Sequence, residues 1–156
     1  MIPPTIRRME YKDVERCGTL ISGSSPWTRY GVTYDGAIER LTASFQRDTT
    51  ALVAVDDRDV PIGFVWIITR GVFDMSGYIR WIVVDSTQRS SGIGQLLIEA
   101  AEAHVRQTGR EIFLLCSDFN VNARRFYEHH GYSQVGAIPD LVLPGVVEIL
   151  YRKRLY

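Results

Sequence analysis

Residues 79–105 read IRWIVVDSTQRSSGIGQLLIEAAEAHV: an apolar run, then a polar turn with two glycines, then apolar residues at helical spacing. The run Tyr78–Val84 has the composition of a buried strand, and Asp85 ends it. From Gly92 to Gln107 the spacing predicts a helix. Its apolar face is Ile93, Leu96, Leu97, Ala100, Ala101 and His104, and Gly109 is a natural stop. A second strand follows at Glu111–Cys116. Strand, helix and strand in this order close as a parallel crossover, which is right-handed in nearly all sheets. A parallel pair at mid-chain commits the fold to a sheet with helices packed on it.

The flanks supply antiparallel partners. Thr5–Met9 is a strand candidate. Asp13–Ile21 and Tyr34–Phe45 have helical character, separated by Ser22-Gly23-Ser24-Ser25-Pro26 and the loop Trp27–Gly31. Ala51–Val55 and Val60–Ile68 alternate like strands around the turn Asp56-Asp57-Arg58-Asp59, and Gly63 marks a candidate bulge. Val121–His130 is a last helix, stopped by Gly131. Tyr132–Ala137 and Val146–Arg152 are the final strands, joined through Pro139 and Pro144. The expected class is α/β with a mixed (α+β-like) sheet of about seven strands and about four helices, in one domain over residues 1–156.

Composition narrows the function. Lys plus Arg and Asp plus Glu number 18 each, a net charge of zero. That argues against a general nucleic-acid binder, which needs surplus cations to displace counterions. Cys17 and Cys116 stand alone, outside any zinc-ligand spacing, so no metal is expected. No segment reads as a signal peptide or membrane span. The expectation is a cytoplasmic protein with neither nucleic acid nor membrane as partner.

The turn Arg89-Ser90-Ser91-Gly92-Ile93-Gly94 opens the central helix. The first amides of a helix lack internal acceptors, and with the helix dipole they form an anion site suited to a pyrophosphate. Glycine lets a ligand approach the backbone, and Arg89 adds a cation. The alternative is a tight strand-to-helix turn and nothing more. A nucleoside-triphosphate loop needs Gly-Lys-Ser/Thr and a dinucleotide loop needs Gly-x-Gly-x-x-Gly; neither is present.

With these residues the sequence resembles the GNAT N-acetyltransferase superfamily. Arg89-Ser90-Ser91-Gly92-Ile93-Gly94 matches that family's Gln/Arg-x-x-Gly-x-Gly/Ala cofactor signature. Ser90 stands where the family often has Gly. Downstream, Asn120 opens a helix ending in Tyr127-Glu128-His129-His130-Gly131-Tyr132, which matches a second family signature. The element order agrees along nearly the whole chain.

The resemblance implies acetyl-CoA as co-substrate and transfer of its acetyl group to a primary amine of a small molecule or peptide in a ternary complex. It implies that the backbone of Ile82, Val83 and Val84 holds the pantetheine arm and acetyl carbonyl, that Asn120 contacts pantetheine or caps its helix, and that Tyr127 is the general acid. Enzymes of the family that acetylate ribosomal-protein N-termini carry a Glu on the next strand. Leu115 stands there, which weakens that subfamily assignment. Asp74 and Glu148 are the candidate bases. Trp27 and Tyr30, with Arg29 between them, are candidates for the acceptor pocket, because that loop borders it in the family. A homodimer is compatible with the sequence. Two alternatives stay open: a non-catalytic acyl-CoA-binding sensor, and an acyltransferase using another acyl-CoA.

Overall fold

Each change of hydrophobic period along the chain coincides with a change of element. The computed structural model describes residues 2–45 and 49–156. Among these, alternating segments form β1 (Thr5–Arg8), β2 (Thr49–Val55), β3 (Pro61–Val72), β4 (Ser76–Val84), β5 (Glu111–Ser117), β6 (Ser133–Pro139) and β7 (Val147–Arg154). Helical periods form α1 (Val14–Ser22), α2 (Tyr34–Ser44), α3 (Ile93–Arg106) and α4 (Val121–His129). The strands make one seven-stranded sheet in the order β1-β2-β3-β4-β5-β7-β6. Only β4 and β5, joined through α3, pair in parallel; every other neighbour is antiparallel.

The sheet buries both faces. Ile67, Ile79 and Leu114 pack on one side with Leu97 and Ile98 of α3 and Tyr127 of α4. Phe64, Trp66, Trp81 and Val83 pack on the other with Ile21 of α1 and Leu41 of α2. Ile79 and Trp81 are two residues apart, yet they lie in opposite cores. A regular strand repeats its face every second residue. The ladder explains the break: Ile67 pairs with Ile79 and Trp66 with Trp81, so Arg80 is an extra residue on β4. It makes a β-bulge, which bends its strand and raises the local twist.

Two expectations need correcting. The β3–β4 hairpin is longer than the sequence suggested, running through Val72 and resuming at Ser76. The face of α3 is also rotated. Ile93, Leu97, Ile98, Ala101, Glu102 and Val105 are buried, whereas Leu96 is 37% exposed. The cause is Glu102, a carboxylate on the core side that interrupts the apolar pattern. It accepts hydrogen bonds from Lys153 Nζ at 2.9 and 3.0 Å and from the Tyr132 hydroxyl at 3.2 Å. A buried charge is tolerated when paired and hydrogen-bonded in this way. His104 is half-buried, 3.4 Å from the Thr69 hydroxyl.

The rotated face separates two adjacent leucines. Leu97→Ala should lower unfolding free energy by about 3 kcal/mol, as for a buried leucine. Leu96→Ala should change it by no more than about 0.5 kcal/mol. Urea titration of the two variants checks the difference.

Candidate active site at the strand split

β4 and β5 pair only at Gly77–Ile112, Tyr78–Phe113 and Ile79–Leu114. Immediately beyond, at the Arg80 bulge, the strands diverge. A cleft of about 1130 Å³ occupies the gap. Ile82, Val83 and Val84 line it from β4, and Leu115, Cys116 and Ser117 from β5. In the middle of a sheet, strand edges without partners leave backbone donors and acceptors that a ligand or water can pair with.

At one end the cleft reaches the start of α3. Asp85 accepts from the Thr87 amide at 3.0 Å and pairs with Arg16 at 2.5 Å, which fixes the turn leaving β4. The Thr87 amide first, and Arg16 with it, hold the Asp85 carboxyl below the usual range against the effect of burial. Gly92, the N-cap of α3, has φ +86° and no capping side chain. The amides of Ile93, Gly94 and Gln95 have no acceptor among the described residues. Arg89 is exposed beside them and forms no ion pair with any described residue.

The two glycines serve different ends. A Cβ on Gly92 would meet nothing within 4 Å, so glycine is favoured there by its left-handed backbone. A Cβ on Gly94 would come within 3.3 Å of Phe126 Cζ, so that glycine lets α3 approach α4. Ile93 puts its side chain in the core and has only its amide to offer. Ser91 bonds to the Gln88 carbonyl and does not line the cleft.

Asn120 is the N-cap of α4, accepting from the Ala123 amide at 3.3 Å, and it also lines the cleft. Tyr127, one of the cleft residues, is buried, and its hydroxyl has no hydrogen-bond partner among the described residues. Burial holds that phenol well above its ordinary pKa. Burial likewise pushes the neighbouring Cys116 thiol up to about 12. A thiolate at this depth is costly, and a nearby hydroxyl that stays protonated is suited to meet it.

At the other end Glu148 sits on β7, only 4% exposed. The Tyr30 hydroxyl donates to its carboxylate, and Ser117 Oγ lies at 3.4 and 3.5 Å from the two oxygens. Tyr30 also bonds to Ser117 directly. Burial, followed by the hydrogen bond to Glu148, pushes the Tyr30 phenol up to about 12. Trp27 packs edge-on to Trp81 with ring centres 6.0 Å apart, and Arg29 lies 3.8 Å over the Phe119 ring.

The sequence profile of the Acetyltransferase (GNAT) family matches residues 12–132. This chain belongs to that family. It is 25% identical over 144 residues to the peptidyl-lysine N-acetyltransferase YjaB of Escherichia coli, covering 90% of each chain. It is 28% identical over 104 residues to the acetyltransferase Atu2258 of Agrobacterium fabrum, covering 67% of this chain and 72% of that one. An aminoglycoside 6'-N-acetyltransferase complexed with coenzyme A superposes with a TM-score of 0.79 at 20% identity, covering 97% of both chains.

The cleft brings together Ile82, Val83, Val84, Arg89, Ser90, Gly92, Gly94, Asn120, Tyr127, Trp27, Tyr30 and Glu148, all singled out in the sequence. Asp74 is not among them. It sits exposed in the β3–β4 turn at φ +56°. It lies five positions before Ile79, roughly 17 Å of extended chain at most toward the closed end of the split. The longer hairpin carries it there. Sequence reasoning missed Ser117, Cys116, Phe126, Arg40 and Arg80 as cleft residues. Only the alternation of β5 hinted at Ser117, since it shares the face of Leu115.

Left-handed backbone gives opposite expectations for two neighbours in the turn. Gly92→Ala should cost about 1 kcal/mol of stability, and Ser90→Gly, at φ +63°, should add up to about 1 kcal/mol. Thermal unfolding midpoints moving in opposite directions would bear this out.

Proposed function

We propose that this chain transfers an acetyl group from acetyl-CoA to a primary amine of a small molecule or peptide, by direct attack in a ternary complex. One observation carries the reading. A single cleft, among the described residues, runs through the split in the sheet and joins an uncapped helix start to a buried carboxylate, with Tyr127 among its lining residues. Coenzyme A in a neighbour of the same fold and peptidyl lysine as acceptor of a relative support it.

The residues divide the work. Amides at the start of α3, with Arg89, hold the pyrophosphate. The backbone of Ile82, Val83 and Val84 holds the pantetheine arm and faces the charge that develops on the carbonyl oxygen. Acetyl-CoA supplies an acyl carbon activated as a thioester. Glu148 takes one proton from the acceptor ammonium, directly or through the Tyr30 hydroxyl, which frees the nitrogen lone pair. The nitrogen bonds to the acetyl carbon and the carbon–sulfur bond breaks. Tyr127 gives its proton to the departing sulfur and regains the second proton lost by nitrogen. The products are an amide and a free thiol.

Calorimetric titration with acetyl-CoA tests the donor half. Gly92→Glu should abolish binding, because its side chain enters open space at the pyrophosphate position. Gly92→Ala, which shares the backbone strain, should bind within about threefold of the native protein. If the native protein ignores acetyl-CoA, the proposal fails.

Turnover tests the rest. Tyr127→Phe should lower kcat by about tenfold to a hundredfold with little change in acetyl-CoA affinity. Glu148→Gln should lower kcat/KM for the amine at pH 7, and the deficit should shrink toward pH 10. With a pKa of about 10.4, an alkylamine is then roughly a quarter neutral without help, several hundred times its neutral fraction at pH 7, while Tyr127 and Tyr30, held above their ordinary values, remain protonated. A deficit independent of pH would remove Glu148 from the role of base.

A further inference from the structure

The charges lining the cleft are unevenly placed. Among the described residues Glu148 is its single carboxylate, and Arg40, Arg80 and Arg89 also line it. Arg89 belongs to the helix start, whereas Arg40 and Arg80 belong to the acceptor end. Both lie over one indole: the Arg40 and Arg80 guanidinium carbons are each 5.9 Å from the Trp81 ring centre. Arg80 is also 5.1 Å from the Trp66 ring. Arg40, on α2, is exposed and has no carboxylate within ion-pair distance among the described residues. Tyr78 feels Arg80 and Glu148 with opposite sign, so cation and anion share this end of the cleft.

Resting on the transferase reading above, we infer that the acceptor is an aminocarboxylate: its ammonium faces Glu148 and its carboxylate faces Arg40 across the Trp27–Trp81 wall. A guanidinium within cation–π range of an indole is partly ordered before binding and can still present N–H groups to a carboxylate in a bidentate pair. A carboxylate leaving Glu148 for the Arg40 side moves from like to opposite charge, whereas a second ammonium there meets the Arg40 guanidinium. The same arrangement therefore disfavours polycationic acceptors. The wall between the charges is aromatic, which suits an apolar spacer between the acceptor's two ends.

The test compares L-phenylalanine, β-alanine and 6-aminohexanoate, each beside its own carboxamide, with kanamycin as a polycation. Release of free thiol from acetyl-CoA is the readout, on native protein and on Arg40→Gln checked for native circular dichroism. At least one acid should exceed its carboxamide by fivefold or more in kcat/KM, and kanamycin by more. In Arg40→Gln the acid-to-carboxamide ratio should fall toward one, mainly through KM. No acid reaching that ratio, a ratio that survives Arg40→Gln, or kanamycin as the better acceptor overturns the inference and leaves the transferase reading intact. If no amine is acetylated although acetyl-CoA binds, the transferase reading fails instead. Calorimetry of the acids into the protein with coenzyme A then decides: binding lost in Arg40→Gln upholds the site, and no binding overturns it.

Discussion

Hydrogen-bonding groups in the middle of a sheet cannot be left idle, and this sheet leaves some idle by construction. β4 and β5 share three residue pairs and then separate, with Arg80 inserted where they part. Restoring the ladder would put Trp81 on the wrong face, because the bulge sets which side every later β4 residue occupies. The gap is thus locked in by two cores at once. Closing it would carry Trp81 and Val83 into the core under α3, and Ile82 and Val84 into the core under α1 and α2. What fills the gap must bring its own donors and acceptors, and an amide-containing arm such as pantetheine has both.

The chemistry is set by how deeply each group is buried beside that gap. Cys116 takes no part in the proposed reaction, but it gauges the surroundings: a thiol there resists ionisation up to about pH 12. In the proposed reaction the thiolate leaves into these buried surroundings, which favours its protonation by the Tyr127 phenol. Matching two raised values is a different solution from tuning one acid to neutrality. At the far end, the buried Glu148 side chain accepts from two hydroxyl donors, those of Tyr30 and Ser117.

The sequence made the order of elements legible, because periods of two and of three to four alternate cleanly and glycines punctuate them. The turn from Arg89 to Gly94 and the helix opened by Asn120 were equally plain. Three things were hidden. Glu102 reads as a polar residue, so the face of α3 came out rotated by about one position; its pairing with Lys153 spans 51 residues and leaves no local trace. The Arg80 bulge is an unremarkable residue in a strand, visible only through its partner on β3. The acceptor end is assembled from the α1–α2 loop, α2, β4, β5 and β7, so Arg40 and Ser117 meet Glu148 only in three dimensions. Asp74 and Glu148 looked equivalent as isolated acids, and strand length alone separated them.

The split opens on both faces of the sheet. On one face the cleft meets α3 and α4, and on the other it meets α2 and the loop before it. In the proposed reaction the donor's cradle and the acceptor's cradle are thus carried by different helical layers, which meet through the strands and at two further contacts, Arg16 with Asp85 and Arg29 with Phe119. Away from those contacts, substitutions in one layer can be accepted or rejected without renegotiating the other. A lineage built this way can keep its acyl donor fixed while its amine drifts, and such drift should leave its record on the α1–α2 side of the sheet.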